Sequence, residues 1–169
     1  MKLIEALKSI KDLSRKADDL LGKIQQYCCD MDYENPTYPD QKGQVSSWLD
    51  AHTDIVRQIG KLKYRIQKTN LMTPVSIDIG GNTVTKSITE WIERRKNLAA
   101  MEKQAWQKLQ NKGLKDVRLQ NTSGVIYDSK VRYYFDPVRK DKMIEILSAE
   151  PSLIDAKLEI VNAITELLE

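Results

Sequence analysis

Thr69, Asn70, Trp91, Arg94, Arg95, Arg132 and Tyr134 have side chains suited to one task, recognition of an anionic, ring-bearing small molecule. A guanidinium presents paired N–H donors that match two phosphate oxygens, and an indole or phenol ring stacks on a base. Each of the seven falls near a predicted element end or in a short predicted strand, so together they are the candidate ligand-binding set. Residues 130–135 alternate: Val131, Tyr133 and Phe135 share one face of the strand and Arg132 and Tyr134 the other. With the apolar face packed, Arg132 and Tyr134 are the pair left to meet a ligand.

Other chemistries find less support. Metal catalysis needs clustered His, Cys or carboxylate ligands, and the chain has one His and two Cys; no metal and no cofactor are expected. His52 lies on an apolar helical stripe and reads as a packed histidine. Cys28 and Cys29 are neighbours on the first predicted helix, where adjacent side chains diverge by about 100°, and Cys28 falls on the apolar seam as a small core residue. A Cys/His couple would have to form across the helical hairpin. Gly80-Gly81 lacks the Lys-Ser/Thr that follows a phosphate loop. The expected class is therefore non-enzymatic.

The elements that must position these residues are mostly helices. Leu3, Leu7, Ile10, Ser14, Ala17, Leu21, Ile24, Cys28 and Met31 recur in steps of four and three, predicting a helix over 2–31 with one packing seam. Asn35-Pro36 and Tyr38-Pro39 interrupt it. A second helix over 44–70 follows, with Val45, Trp48, His52, Ile55, Ile59, Leu62, Ile66 and Thr69 on its stripe, antiparallel to the first. Val75, Ile77 and Ile79 then alternate up to Gly80-Gly81-Asn82, a β-hairpin over 74–85. Ser87 and Glu90 have capping-box spacing and open a third helix over 88–112, closed by Gly113. Residues 114–135 read as extended structure, and Asp136-Pro137 starts the last helical region. Pro151 lies on its stripe and either kinks one helix or separates two.

At 169 residues, 41% hydrophobic and 30% charged, with 7 Gly and 5 Pro, the chain suits a single helical domain rather than a disordered one. The start enters an amphipathic pattern at once, no segment reaches the roughly 20 apolar residues of a spanning helix, and there is no disulfide framework; a cytoplasmic location is the expectation. A net charge of +3 does not by itself imply nucleic acid. Its distribution is uneven, since residues 112–142 hold eight Lys or Arg against four Asp and residues 145–169 hold six acids and one Lys. Arg57, Lys61, Arg65 and Lys68 fall on one helical face, yet no recognisable nucleic-acid reader accompanies them.

Five segments carry a resemblance: Met1–Leu7, Arg65-Ile66-Gln67-Lys68-Thr69-Asn70, Ile88-Thr89-Glu90-Trp91-Ile92-Glu93-Arg94-Arg95, Ser129-Lys130-Val131-Arg132-Tyr133 and Asn162-Ala163-Ile164-Thr165-Glu166-Leu167. Together they resemble the septicolysin-like family of small bacterial helical proteins, whose biochemical activity is not established. The chain departs from that family at Ala163, where a Trp is usual, and by an insertion over 110–128. The resemblance implies a helical fold, and the family name implies a membrane-active alternative.

The sequence thus predicts a mainly α protein, with long antiparallel helices in a bundle or coiled-coil arrangement, a short β-hairpin and a small β excursion near residues 114–135. The predicted function is a homo-oligomeric binding protein that sequesters an anionic nucleotide-like molecule. The alternatives are a purely structural scaffold oligomer or a membrane-active protein.

Overall fold

The computed structural model describes residues 1–169. It is mainly helical, with two small antiparallel hairpins, and divides into two compact units, Met1–Pro74 with Glu159–Glu169, and Val75–Leu158.

In the first unit α1 (Leu3–Tyr27) packs along α2 (Gln41–Met72). The stripe predicted for α2 is the one that is wholly or half buried, with Trp48, Ile66 and Thr69 deepest. The α1 seam differs from expectation. Leu3, Ile10, Ala17 and Ile24 do turn inward, but their companions are Ala6, Leu13, Leu20 and Tyr27, three residues on; of the expected residues four on, Ser14 is half-buried while Leu7, Leu21 and Cys28 are exposed. Both sets flank the same line of residues; packing covers the first side, leaving Leu7 45% and Leu21 49% exposed. The helix also stops at Tyr27 instead of residue 31, so Cys28 is an exposed cap residue and not a core one. Gln41 Nε2 donates to the Tyr27 carbonyl (3.2 Å), and Tyr27, Tyr38 and Trp48 cluster with ring centroids 5.3–5.7 Å apart.

Residues 159–169 complete this unit. Leu3 N donates to the Thr165 carbonyl (3.0 Å), Leu167 N to the Met1 carbonyl (2.8 Å), and the Met1 ammonium pairs with Glu166 (3.0 Å). Buried Thr69 donates its hydroxyl to the Arg65 carbonyl (2.8 Å) and accepts from Leu168 N (2.9 Å).

The second unit opens with β1 (Pro74–Ile79, its first residue in the other unit) and β2 (Asn82–Ser87). Ser76 bonds Thr85 and Thr83 bonds Asp78 on the polar face, while Val75 and Ile77 are buried on the other. Gly80 (φ +59°) and Gly81 (φ +85°) supply the two positive φ angles of a type I′ turn. The predicted capping box then forms: Ser87 Oγ accepts from Glu90 N (3.3 Å) and Ser87 N donates to Glu90 Oε2 (2.8 Å). Those backbone and hydroxyl donors hold the Glu90 carboxyl below its ordinary range.

The following helix has an internal irregularity that the sequence pattern does not predict. α3 (Ile88–Glu93) runs into a π-helical turn (Arg94–Leu98) before α4 (Ala99–Gln107). It ends five residues short of the predicted stop, so Gly113 (φ +75°) belongs to a later turn, with Leu114 N donating to the Asn111 carbonyl (2.9 Å). β3 (Val117–Gln120) and β4 (Ile126–Ser129) pair antiparallel, Leu119 opposite Tyr127, and Arg118 meets Asp128 across them (3.1 Å). The strand expected over 130–135 is absent, because Val131 N donates to the Asp116 carboxylate (2.8 Å) rather than to a ladder. The alternation of faces argued for those residues therefore does not apply.

α5 (Pro137–Ile164) starts where Asp136-Pro137 predicts, with Val138 N donating to Asp136 Oδ1 (2.9 Å). Pro151 lies within this one helix and does not split it; residues 137–158 belong to the second unit and 159–164 to the first.

Candidate functional site

The seven candidate residues do not form one site. Thr69 and Asn70 are in the first unit, and the Thr69 hydroxyl is engaged by the backbone of residues 65 and 168. The other five are in the second unit, distributed among three places.

Trp91 and Arg94 line a cleft of about 270 Å³ with Ile79, Val84, Met143 and Ile146. Trp91 is buried, its Nε1 donating to the Val75 carbonyl (2.9 Å), which leaves the indole as wall rather than stacking platform. Arg94 is fully engaged: Nε to Glu150 Oε1 at 2.6 Å, Nη2 to Glu150 Oε2 at 3.0 Å, and Nη1 to Glu102 Oε2 at 2.6 Å. The Glu150 hydrogen bond, reinforced by Glu102, raises the guanidinium above its ordinary value despite partial burial. A phosphate reaching Arg94 would have to displace two carboxylates. Arg95, the second residue of the π turn, pairs separately with Asp155.

Arg132 and Tyr134 sit at a different hollow, of about 290 Å³, between the residues after α4 and those before α5. Lys108 and Lys112 join Arg132 in its lining, and Tyr133 and Phe135 join Tyr134; no Asp or Glu lines it. Arg132 makes no ion pair, Tyr134 is 88% exposed, and the rings of Tyr133 and Phe135 meet edge to face with centroids 5.5 Å apart. The backbone fixes the shape. Lys112 takes φ +56° ahead of Gly113, and Asn111 Oδ1 accepts from Gly113 N (3.0 Å), folding the chain back beside residues 131–135. Lys108, Lys112 and Phe135 were not among the predicted site residues. Their signal was the clustering of two lysines around the helix stop and a Tyr-Tyr-Phe run just before the Asp136 cap.

Elsewhere, three of the four α2 cations considered for nucleic acid are engaged: Arg57 with Asp54, Arg65 with the Leu168 carbonyl and Lys68 with the Glu169 carbonyl. His52 is half-buried. No helix is long and apolar enough to cross a membrane.

No protein-family model matches the chain and no curated protein sequence matches it. Among solved structures it is similar to the crystal structure of a functionally unknown conserved protein from Corynebacterium diphtheriae, with TM-score 0.58, 16% sequence identity and 99% of each chain covered. At that identity the likeness establishes a shared fold.

Proposed function

We propose that the protein is a non-enzymatic, homo-oligomeric helical binding protein that sequesters an anionic, nucleotide-like small molecule in the hollow lined by Arg132 and Tyr134. The observation that carries this reading is the grouping of Lys108, Lys112 and Arg132, without a carboxylate, beside three aromatic rings. Uncompensated cations raise the local concentration of anions, and aromatic faces add stacking that tolerates any base. The volume lies near the lower end of small-molecule pockets, about 300–1,000 Å³.

Support for self-association comes from α1. Leu7 and Leu21, two heptads apart on α1, are both left exposed within the chain. Leu49 and Val56 stand seven residues apart on α2 and are also exposed. Stripes of that period fit a helix from a second copy in a coiled-coil contact.

The test is native mass spectrometry of the purified full chain, for assembly mass and any co-purifying ligand, with calorimetric titration of a nucleotide panel. Arg132→Ala should weaken binding about tenfold or more, as loss of a charged hydrogen bond does, and leave the melting temperature nearly unchanged. Apo protein that ignores every nucleotide would instead favour the scaffold reading.

A further inference from the structure

Cys28 and Cys29 lie where α1 ends, Cys28 as its cap and Cys29 one residue beyond. Free of helical geometry at the second position, their Sγ atoms come within 4.0 Å of each other. Both residues are exposed and neither is in a disulfide. They border a hollow of about 290 Å³ between the end of α1 and the start of α2, walled by Tyr27, Pro36, Lys42 and Val45. The Gln41 hydrogen bond to the Tyr27 carbonyl fixes these walls relative to the thiols.

We propose that this pair is a dithiol site for trivalent arsenic bearing one carbon substituent. Two soft sulfur donors on adjacent residues match an element that takes two thiols at once, and the hollow leaves room for the substituent beside Pro36 and Val45. Once one As–S bond has formed, the second thiol attacks at a high effective concentration set by a single peptide link. The step is a condensation: an arsenoso group, R–As=O, and two thiols give two As–S bonds. Both thiol protons leave with the oxide oxygen as one water, and arsenic stays trivalent. Cys28 Sγ lies within hydrogen-bond reach of both the Gln25 carbonyl (3.5 Å) and the Cys29 sulfur (4.0 Å). The hydrogen bond between the two sulfurs and the neighbouring Cys28 raise the Cys29 thiol above its ordinary value.

The experiment uses the reduced full chain, phenylarsine oxide as probe and intact-mass spectrometry. Wild type should take one phenylarsenic group per chain with both thiols blocked to a colorimetric thiol reagent. The adduct should survive excess 2-mercaptoethanol and be removed by 2,3-dimercaptopropanol. Cys28→Ser and Cys29→Ser, substitutions at exposed positions that should retain the wild-type circular dichroism, should each lose the adduct to 2-mercaptoethanol at concentrations at least tenfold lower. Loss from wild type at the same concentration as from the single variants, or one arsenic shared between two chains, would overturn the proposal.

Discussion

Arg94 and Glu150 form a two-pronged ion pair that joins the two irregular points of the second unit's helices. Arg94 is the first residue of the π turn, and Glu150 directly precedes Pro151 in α5. Proline has no N–H, so the Leu147 carbonyl one turn earlier loses its helical donor, while the π turn interrupts the regular ladder of α3 and α4. Glu150 is 2% exposed, and its carboxylate depends on this partner for compensation.

Replacing Arg94 with Ala should therefore destabilise the fold by about 3–5 kcal/mol, the usual cost of leaving one member of a buried pair alone. Glu150→Gln should cost less, because Arg94 keeps Glu102. An apolar pair, Arg94→Met with Glu150→Leu, should recover most of the loss. Urea denaturation of the two single variants and the double variant checks this, and equal losses in all three would contradict it.

Ser87→Ala removes the hydroxyl that caps α3 and should cost about 1 kcal/mol. Glu90 adds a pH dependence. Its carboxyl titrates below the ordinary value of 4.5 in the folded chain, so in that interval the unfolded chain binds more protons. The contribution is complete above the unfolded value and disappears as pH falls through the folded one. Glu90→Gln should flatten the acid limb of the melting temperature against pH; an unchanged limb would exclude Glu90 as its source.

Thr69→Val keeps shape but deletes the oxygen that receives Leu168 N. An unpaired donor there should cost about 1–3 kcal/mol, and the Leu168 amide should lose its protection from hydrogen exchange. Nucleotide binding measured on the same variant should match wild type, since Thr69 serves the chain's own backbone.

Local signals with one structural solution were legible in the sequence. The Ser87/Glu90 box, the Gly80-Gly81 turn, the Asp136-Pro137 start and the α2 stripe are each satisfied by neighbours within a few residues or by a single packed face. What failed depended on distant partners. Whether Leu7 or Ala6 turns inward is decided by which side of α1 meets the rest of its unit, and both sides have heptad spacing. Residues 130–135 carry strand-like alternation, but a strand needs a ladder, and the Asp116 carboxylate takes the Val131 amide. Of the candidate residues, Arg132 and Tyr134 line one hollow, and their charge and ring types are visible in a sequence. The engagement of Arg94 by Glu150, 56 residues away, was not.

The first unit is discontinuous, with residues 1–74 completed by residues 159–169, and this imposes an order on biosynthesis. On the ribosome α1 and α2 emerge first, yet the Leu3 amide, the Met1 carbonyl and the Thr69 hydroxyl find their partners at residues 165–168 only after the whole second unit has been translated. The second unit, by contrast, is one continuous stretch, residues 75–158. The first must wait with an open flank, so its early helices are the part of the polypeptide for which a chaperone would have most work.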